Sequence, residues 1–409
     1  MKILYNLGIR LFSLAVFIAA FFNEKARLLR KGRKNIWSQL AMLQDESQIV
    51  WIHSASLGEF EQGRPLIEVL KSKYPEKKIL LTFFSPSGYE VRKEYELADV
   101  VTYLPADTIP NARRFLNLVN PCVALFIKYE FWPNFFQVLR EREVSLYSVS
   151  AIFRMNQLFF KWYGAWFRKA LRAVDKFYVQ DQTSGQLLKN IQIENFAVVG
   201  DTRFDRVTAI VSAATEVPVA KVFAASAEIV LVAGSSWPPD EDILIHYINQ
   251  APENVKMIIA PHEIHEGHLS QIEQKLSVAS FRYTGSNGTD FTRNRVMIVD
   301  TIGLLSAIYR YGHVAYIGGG FGRGIHNTLE AATYSIPVLF GPCYHKFKEA
   351  CDLIDCGGGF SVSDFRSFSL LAEKFRTDEC SRQMAGKAAG NYVQSMCGAT
   401  DIIMKEVFS

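Results

Sequence analysis

The residues that could do chemistry fall into three groups. In the first, Gly318-Gly319-Gly320-Phe321-Gly322-Arg323-Gly324-Ile325-His326-Asn327-Thr328-Leu329-Glu330 follows the apolar run Val314-Ala315-Tyr316-Ile317, which reads as a buried strand. It leads into Thr328-Leu329-Glu330-Ala331-Ala332, which reads as the first turns of a helix. Glycines in a strand-to-helix turn let backbone N–H groups approach an anion closely, and the helix dipole adds partial positive charge there. The Glu330 carboxylate cannot serve a phosphate, but it can accept hydrogen bonds from paired hydroxyls such as those of a ribose. The arrangement points to a nucleotide carrying a sugar. The competing reading is a tight turn whose glycines only allow close packing.

The second group is a pair of carboxylates. Glu59 stands after Ser54-x-Ser56-x-Gly58, at or just inside the start of a helix. There it either complements the helix dipole, worth about 0.3–1 kcal/mol, or acts as a general base toward an attacking hydroxyl. Glu130 lies just beyond the apolar run Val123–Ile127 and before Phe131-Trp132-Pro133-Asn134. The third group is His262-Glu263-Ile264-His265-Glu266-Gly267-His268, where the H-E-x-x-H zinc pattern would need a histidine in place of Glu266. His262 reads instead as a phosphate or sugar contact, and no metal site is expected. G-x-G-x-x-G fits nowhere in Gly318–Gly324, and the G-x-x-x-x-G-K-[ST] pattern is absent, so neither a dehydrogenase nor an NTPase is supported.

Elements that alternate along the chain must position these groups. Strand candidates in the first half are Ile49–His53, Ile79–Phe83, Val123–Ile127, Val144–Ser148 and Lys176–Val179. In the second half they are Ile229–Ala233, Lys256–Ala260, Val296–Val299, Val314–Ile317 and Pro337–Phe340. Helical patterns lie between them, which argues for parallel sheets built from βαβ units. Residues 207–227 are helical and rich in alanine and valine, so the domain boundary falls near Asp205. The expected organisation is a membrane-associated segment at 1–34, a doubly wound domain at 35–205 and a second at 206–409, the last helix a candidate to cross back. The chemistry-bearing loops all follow strands, where open α/β sheets bind ligands, so two such domains would share a central cleft.

The 409 residues, 49% hydrophobic and 21% charged, describe a globular chain too long for one core. A net charge of +4 carries no nucleic-acid-binding excess. Six cysteines without a C-x-x-C pair read as reduced, buried thiols. Leu11–Phe22 is almost unbroken in apolar character and is followed by Lys25, Arg27, Arg30, Lys31, Arg33 and Lys34. With no small-residue cleavage site, this segment reads as a marginal span or an interfacial helix on anionic lipid, with packing on the protein itself as the alternative. Leu158–Lys169 places Phe159, Trp162, Tyr163, Trp166 and Phe167 on one helical face, which reads as core, with a lipid surface as the alternative because Lys161, Arg168 and Arg172 lie beside it.

Taken in order, the motifs His53–Glu59, Ser85-Pro86-Ser87-Gly88, Glu130–Asn134, Gly200–Asp205 and His326–Ala332, closing at Pro337–Pro342, resemble the 3-deoxy-D-manno-octulosonic acid (Kdo) transferases. The resemblance runs from about Ile49 to the C-terminus and includes the N-terminal segment. It implies a GT-B fold (α/β, two Rossmann-like doubly wound domains) and an inverting, metal-independent transfer of Kdo. CMP-Kdo would be the donor and a lipid A precursor the acceptor, on the cytoplasmic face of the inner membrane, with no cofactor. It also implies roles: Glu59 as general base and Glu130 as a second essential, acceptor-side carboxylate. Ser235, Ser236, His262, Gly319, Gly320, His326, Asn327, Glu330 and Arg203 would contact the donor, and Ser56, Gly58, Ser87 and Gly88 the acceptor. Two departures from the family pattern are Arg203 in place of lysine and Pro261-His262-Glu263 in place of Pro-Arg-His. The alternatives are a GT-B transferase using a UDP-sugar and a non-catalytic membrane-bound glycolipid-binding protein.

Overall fold

The computed structural model describes residues 1–286, 290–291 and 293–408; positions 287–289, 292 and 409 lie outside the described residues. The chain forms two compact units, one of Met1–Arg206 with Cys397–Ser409 and one of Val207–Met396.

The first unit holds a seven-stranded parallel sheet: β1 (Ile49–Ser54), β2 (Lys78–Phe83), β3 (Val100–Tyr103), β4 (Val123–Ile127), β5 (Ser145–Ala151), β6 (Lys176–Val179) and β7 (Phe196–Val198). Their order is β3-β2-β1-β4-β5-β6-β7. A parallel sheet is covered on both faces, so its inner strands are continuous apolar runs. In β1, Ile49 and Trp51 enter one core while Val50 and Ile52 enter the other, as a period of two requires. The chain winds outward from β1 to β3 and returns to β4 on the other side of β1. The switch point therefore lies between β1 and β4, and the loops after these two strands carry Glu59 and Glu130.

The second unit repeats this plan with β8 (Ile229–Ser236), β9 (Val255–Pro261), β10 (Ser280–Arg282), β11 (Val296–Ile298), β12 (Val314–Ile317), β13 (Val338–Phe340) and β14 (Gly359–Ser361). Their order is β10-β11-β9-β8-β12-β13-β14, so the switch lies between β8 and β12. Ser235 and Ser236 end β8, and the glycine stretch follows β12.

Every strand expected from the sequence is present. The four not anticipated, β3, β7, β10 and β14, are the outer strands of the two sheets. Each has only three or four residues, too few to display an apolar run or an alternation. Two other expectations are corrected. Leu158–Lys169 is not one helix: a 3₁₀ turn, Leu158–Phe160, precedes a helix at Ala165–Leu171. The chain folds back so tightly that a Cβ on Gly164 would strike the Leu158 carbonyl, and Arg168 ties the turn by donating to the carbonyl oxygens of Phe159 (2.9 Å) and Lys161 (3.2 Å). Phe159 and Phe160 pack on the core, while Trp162 is left 91% exposed. The six cysteines are free, but Cys122, Cys343, Cys356 and Cys380 are exposed rather than buried.

The N-terminal helix, Lys2–Ala19, has a mean hydropathy of 1.5 and buries none of its residues. At about 1.5 Å per residue it reaches roughly 27 Å, close to the thickness of a bilayer core. The next helix, Glu24–Arg33, carries five of the basic residues. At the other end of the chain, helix Ala399–Phe408 belongs to the first unit, where Ile403 and Met404 enter the core and Asp205 accepts from the amides of Gly398 and Thr400.

Candidate active site

In the first unit the turn after β1 becomes the N-terminus of helix Leu57–Lys73, with Glu59 in its first turn and 8% exposed. The Ser56 hydroxyl donates to the Glu59 carboxylate, and the Lys128 ammonium stands 3.6 Å from its other oxygen. Lys128 adopts a left-handed backbone (φ 69°), which costs a non-glycine residue about 1–2 kcal/mol, and its amide is held by the Val149 carbonyl at 2.7 Å. A Cβ on Gly58 would meet the Ser56 hydroxyl at 3.8 Å, an ordinary contact. Gly88 is a packing glycine: a Cβ there would strike the Phe83 ring and reach 3.0 Å from the Ser56 carbonyl carbon. Ser87 is exposed, its hydroxyl 3.0 Å from that of Ser85.

Glu130 lies 3.9 Å from His53 Nε2. That nitrogen also takes the indole N–H of Trp132 at 3.2 Å. An indole only donates, so Nε2 must present a lone pair, and the network assigns the ring proton to Nδ1. Nδ1–H then donates to Thr82 Oγ1 (2.9 Å), which also takes the Trp51 indole N–H (2.8 Å). His53 is neutral in this arrangement, so its approach to Glu130 is not an ion pair. Arg203 also belongs to the first unit, where its guanidinium pairs with Asp201 at 2.9 Å, a carboxylate that accepts in addition from Gln62 at 2.8 Å.

In the second unit the glycine stretch is held by a residue the sequence reading passed over. Asp240 is 1% exposed and its carboxylate accepts from the Gly319 amide (2.8 Å), the Trp237 amide (3.0 Å) and the Tyr316 hydroxyl (2.7 Å). Burial and then this carboxylate push the Tyr316 phenol up, so it stays a donor. Gly319 (φ 91°) and Gly324 (φ 135°) need a conformation that side chains disfavour. Gly318 and Gly320 serve packing: a Cβ would strike the Ser235 carbonyl in the first case and approach Gly341 Cα to 2.5 Å in the second. The helix after the stretch, Leu329–Thr333, has only five residues. Of the amides in the stretch, those of Gly318, Gly319, Gly322, Gly324 and His326 already have protein acceptors, and the helix behind them is too short to carry a useful dipole.

A cavity of about 550 Å³, within the usual range for small-molecule sites, opens beside the stretch, lined among others by Trp237, Asp240, Phe321, Arg323 and His326. His326 Nε2 takes the Trp237 indole N–H at 3.0 Å, so this ring too is neutral with its proton on Nδ1. Burial, and then the neighbouring His262, hold it below the ordinary imidazole range. The exposed His262 ring stacks 4.4 Å from His326 and 4.6 Å from Trp237. Glu330 accepts from the Ser306 hydroxyl on one oxygen and from the Asn327 side-chain amide (3.0 Å) on the other. A carboxylate has about four acceptor positions, which leaves room for further hydroxyl donors. Ser235 is half-buried with a left-handed backbone (φ 53°). Ser236 is fully buried, its hydroxyl donating to Glu241 at 2.9 Å. Glu241 meets His268 Nε2 at 2.8 Å, and His268 Nδ1 meets the Glu263 carbonyl at 2.8 Å. With acceptors at both ring nitrogens, His268 is placed as an imidazolium. Burial opposes that charge, but the hydrogen bonds to Glu241 and Glu263 outweigh it and raise the ring above its ordinary range. Among the described residues no cluster of His, Cys, Asp or Glu could hold a metal ion.

Of the residues expected to act together, Ser56, Gly58 and Glu59 share one turn, and Gly319, Gly320, His326, Asn327 and Glu330 share one loop region with His262 and Ser235 around them. Lys128, Trp132 and Asp240 were missed as site residues. For Asp240 a signal existed: Trp237-Pro238-Pro239-Asp240 directly after a strand is a helix start, with the carboxylate at the third helical position.

Two doubly wound parallel sheets with their polar loops at the strand carboxyl ends define the GT-B class of fold. Solved structures agree in fold: the UDP-GlcNAc 2-epimerase from Neisseria meningitidis bound to UDP-GlcNAc is 14% identical, covers 87% of this chain and 98% of its own, and has a TM-score of 0.58. The S. aureus MnaA–UDP structure is 12% identical, with 88% and 96% covered and a TM-score of 0.56. Residues 26–206 match the family model described as 3-deoxy-D-manno-octulosonic-acid transferase (kdotransferase). The 3-deoxy-D-manno-octulosonic acid transferase of Bordetella pertussis is 27% identical over 367 residues, 86% of this chain and 85% of the relative. That of Aquifex aeolicus (strain VF5) is 26% identical over 354 residues, 82% and 90% respectively. Residues 26–206 thus carry a Kdo transferase family domain, and most of the chain is similar to proteins named as Kdo transferases, which are glycosyltransferases.

Proposed function

We propose that this protein moves Kdo from CMP-Kdo to a lipid A precursor in lipopolysaccharide biosynthesis, with inversion and without a metal ion, at the cytoplasmic face of the inner membrane. Glu59 takes the proton of the acceptor hydroxyl as its oxygen attacks the anomeric carbon from the face opposite the leaving group. The bond from that carbon to the phosphate oxygen breaks, and its electron pair leaves on CMP. CMP departs with a single phosphate, so less charge develops than on a diphosphate, and fixed protein donors suffice to meet it. Arg323, an exposed residue lining the second-unit cavity, donates to that phosphate, and Glu330, with acceptor positions beyond those used by Ser306 and Asn327, accepts from the ribose hydroxyls.

The observation that carries this reading is the setting of Glu59: a largely buried carboxylate at a helix start and at a sheet switch point, with a hydroxyl on one oxygen and an ammonium near the other. General-base assistance of this kind contributes about 10²–10⁴-fold. The exposed apolar side chains of Lys2–Ala19 and the basic helix behind it support work at an anionic lipid surface. The test is a transfer assay with purified protein, CMP-Kdo and a lipid A precursor, followed by mass measurement of the product. The reading expects one or more Kdo additions, inhibited by CMP and not by UDP. Inhibition by UDP alone would replace the donor, and an unchanged acceptor with every donor offered would remove the activity.

A further inference from the structure

Asp107 sits in the loop after β3, 1% exposed, and is used by no step above. Its carboxylate accepts from three directions: the Tyr5 hydroxyl at 2.6 Å, the Asn134 amide at 3.2 Å and the Phe135 amide at 2.9 Å. Its backbone carbonyl accepts from the Asn134 side-chain amide at 2.7 Å, and that same amide donates to Asn6 at 2.9 Å. Burial pushes the Asp107 carboxyl up to about 6, while the hydrogen bonds from Tyr5, Asn134 and Phe135 pull it back down.

These partners come from two places. Tyr5 and Asn6 belong to the N-terminal helix, and the Tyr5 ring rests 5.2 Å from Trp166. Asn134 and Phe135 open helix Pro133–Glu141, whose own N-cap residue, Trp132, makes no side-chain cap. The first amides of a helix have no partner within it, and here the missing acceptor comes from a residue 27 positions away. The four residues just upstream are Tyr129, Glu130, Phe131 and Trp132. Trp132 is pinned to His53, and Glu130 lies beside the same ring. One buried carboxylate thus fixes the downstream end of the Glu130 loop, and the N-terminal helix completes the shell of that carboxylate.

We infer that Asp107 is a positioning residue for Glu130, and that the N-terminal helix, seated through Tyr5 and Asn6, sets the acceptor-side geometry in addition to meeting lipid. This rests on the reading of Glu130 as an acceptor-side carboxylate. A cap that served helix stability alone would need no phenol from a helix about a hundred residues earlier. A helix that served only as an anchor would place no hydroxyl on a buried carboxylate and no amide oxygen on Asn134 beside it.

The test uses the full-length protein with Tyr5→Phe, which removes one hydroxyl and keeps the ring. Amide hydrogen exchange in the peptide covering residues 130–136 reads the coupling whether or not the protein is active. Steady-state kinetics read its use. The inference expects exchange at Asn134 and Phe135 to quicken and kcat/KM for the acceptor to fall, each by about tenfold, the equivalent of one lost hydrogen bond. Donor KM and binding to anionic phospholipid vesicles should not change. Asp107→Asn, which turns one acceptor into a donor facing an amide, should lose more, and if it does not fold, Tyr5→Phe decides alone. Unchanged exchange would overturn the coupling. Faster exchange with unchanged acceptor kinetics, or with donor and acceptor parameters falling together, would reduce Asp107 to a structural cap. If the unmodified protein transfers nothing, the reaction reading fails, and the exchange result still decides whether the helix and the loop are coupled.

Discussion

Replacing Asp240 tests whether the second-unit cavity is built by the carboxylate that holds its glycine wall. In Asp240→Ala, the Gly319 and Trp237 amides lose a buried acceptor and the Tyr316 hydroxyl loses its partner. A buried donor left unpaired costs about 1–3 kcal/mol, so two amides alone bring the loss to roughly 2–6 kcal/mol. Part of this relaxes by opening the loop to water, and the opened loop is the cavity wall. Asp240→Asn is the control. Its oxygen can keep both amides, its NH₂ can face a Tyr316 hydroxyl turned to accept, and only the charge assistance is lost, about 1–2 kcal/mol. Calorimetric titration with CMP reads the consequence. Asp240→Ala should weaken CMP binding by about tenfold or more, Asp240→Asn by clearly less, and chemical unfolding should rank the stabilities in the same order. Wild-type CMP affinity in a folded Asp240→Ala protein would refute the argument that this carboxylate shapes the site.

Two further outcomes follow from the same geometry. Glu330→Ala removes the acceptor read as meeting the ribose and should weaken CMP by roughly 1.5–3 kcal/mol, the range for a hydrogen bond to a charged group; an unaltered CMP dissociation constant would take Glu330 out of that role. His268, raised above its ordinary value by Glu241 and Glu263 against the cost of burial, contributes stability that is fully present below the unfolded imidazole value of about 6.5 and is lost as pH rises through the raised folded value. Thermal unfolding of wild type and His268→Gln should therefore converge as pH rises, and a gap constant from about pH 6 to about pH 9 would contradict the charged pairing.

Several of these features were legible before the structure. Val123–Ile127 and Ile229–Ala233 are long enough and apolar enough on both faces to declare inner strands of a parallel sheet. Gly359–Ser361 is not, because a three-residue edge strand has no period to read. Glu59 was legible because serine and glycine ahead of an acidic residue mark a helix start. The glycine stretch was legible as a special turn, but what each glycine does was not. Whether Gly320 faces an anion or the Gly341 backbone depends on a neighbour some twenty positions away. The same distance effect hid Asp240, which reads locally as a helix cap, and Asp107, whose partner Tyr5 lies 102 residues earlier. Leu158–Lys169 misled because helical spacing of aromatics says nothing of a turn closed by the Gly164 backbone.

The central claim is that Glu59 draws the proton from the incoming hydroxyl. Its most direct measurement is turnover of Glu59→Gln with CMP-Kdo and a lipid A precursor, alongside its affinity for CMP. The account expects transfer to fall by about 10²–10⁴-fold with CMP affinity intact. Turnover at the wild-type rate would contradict it.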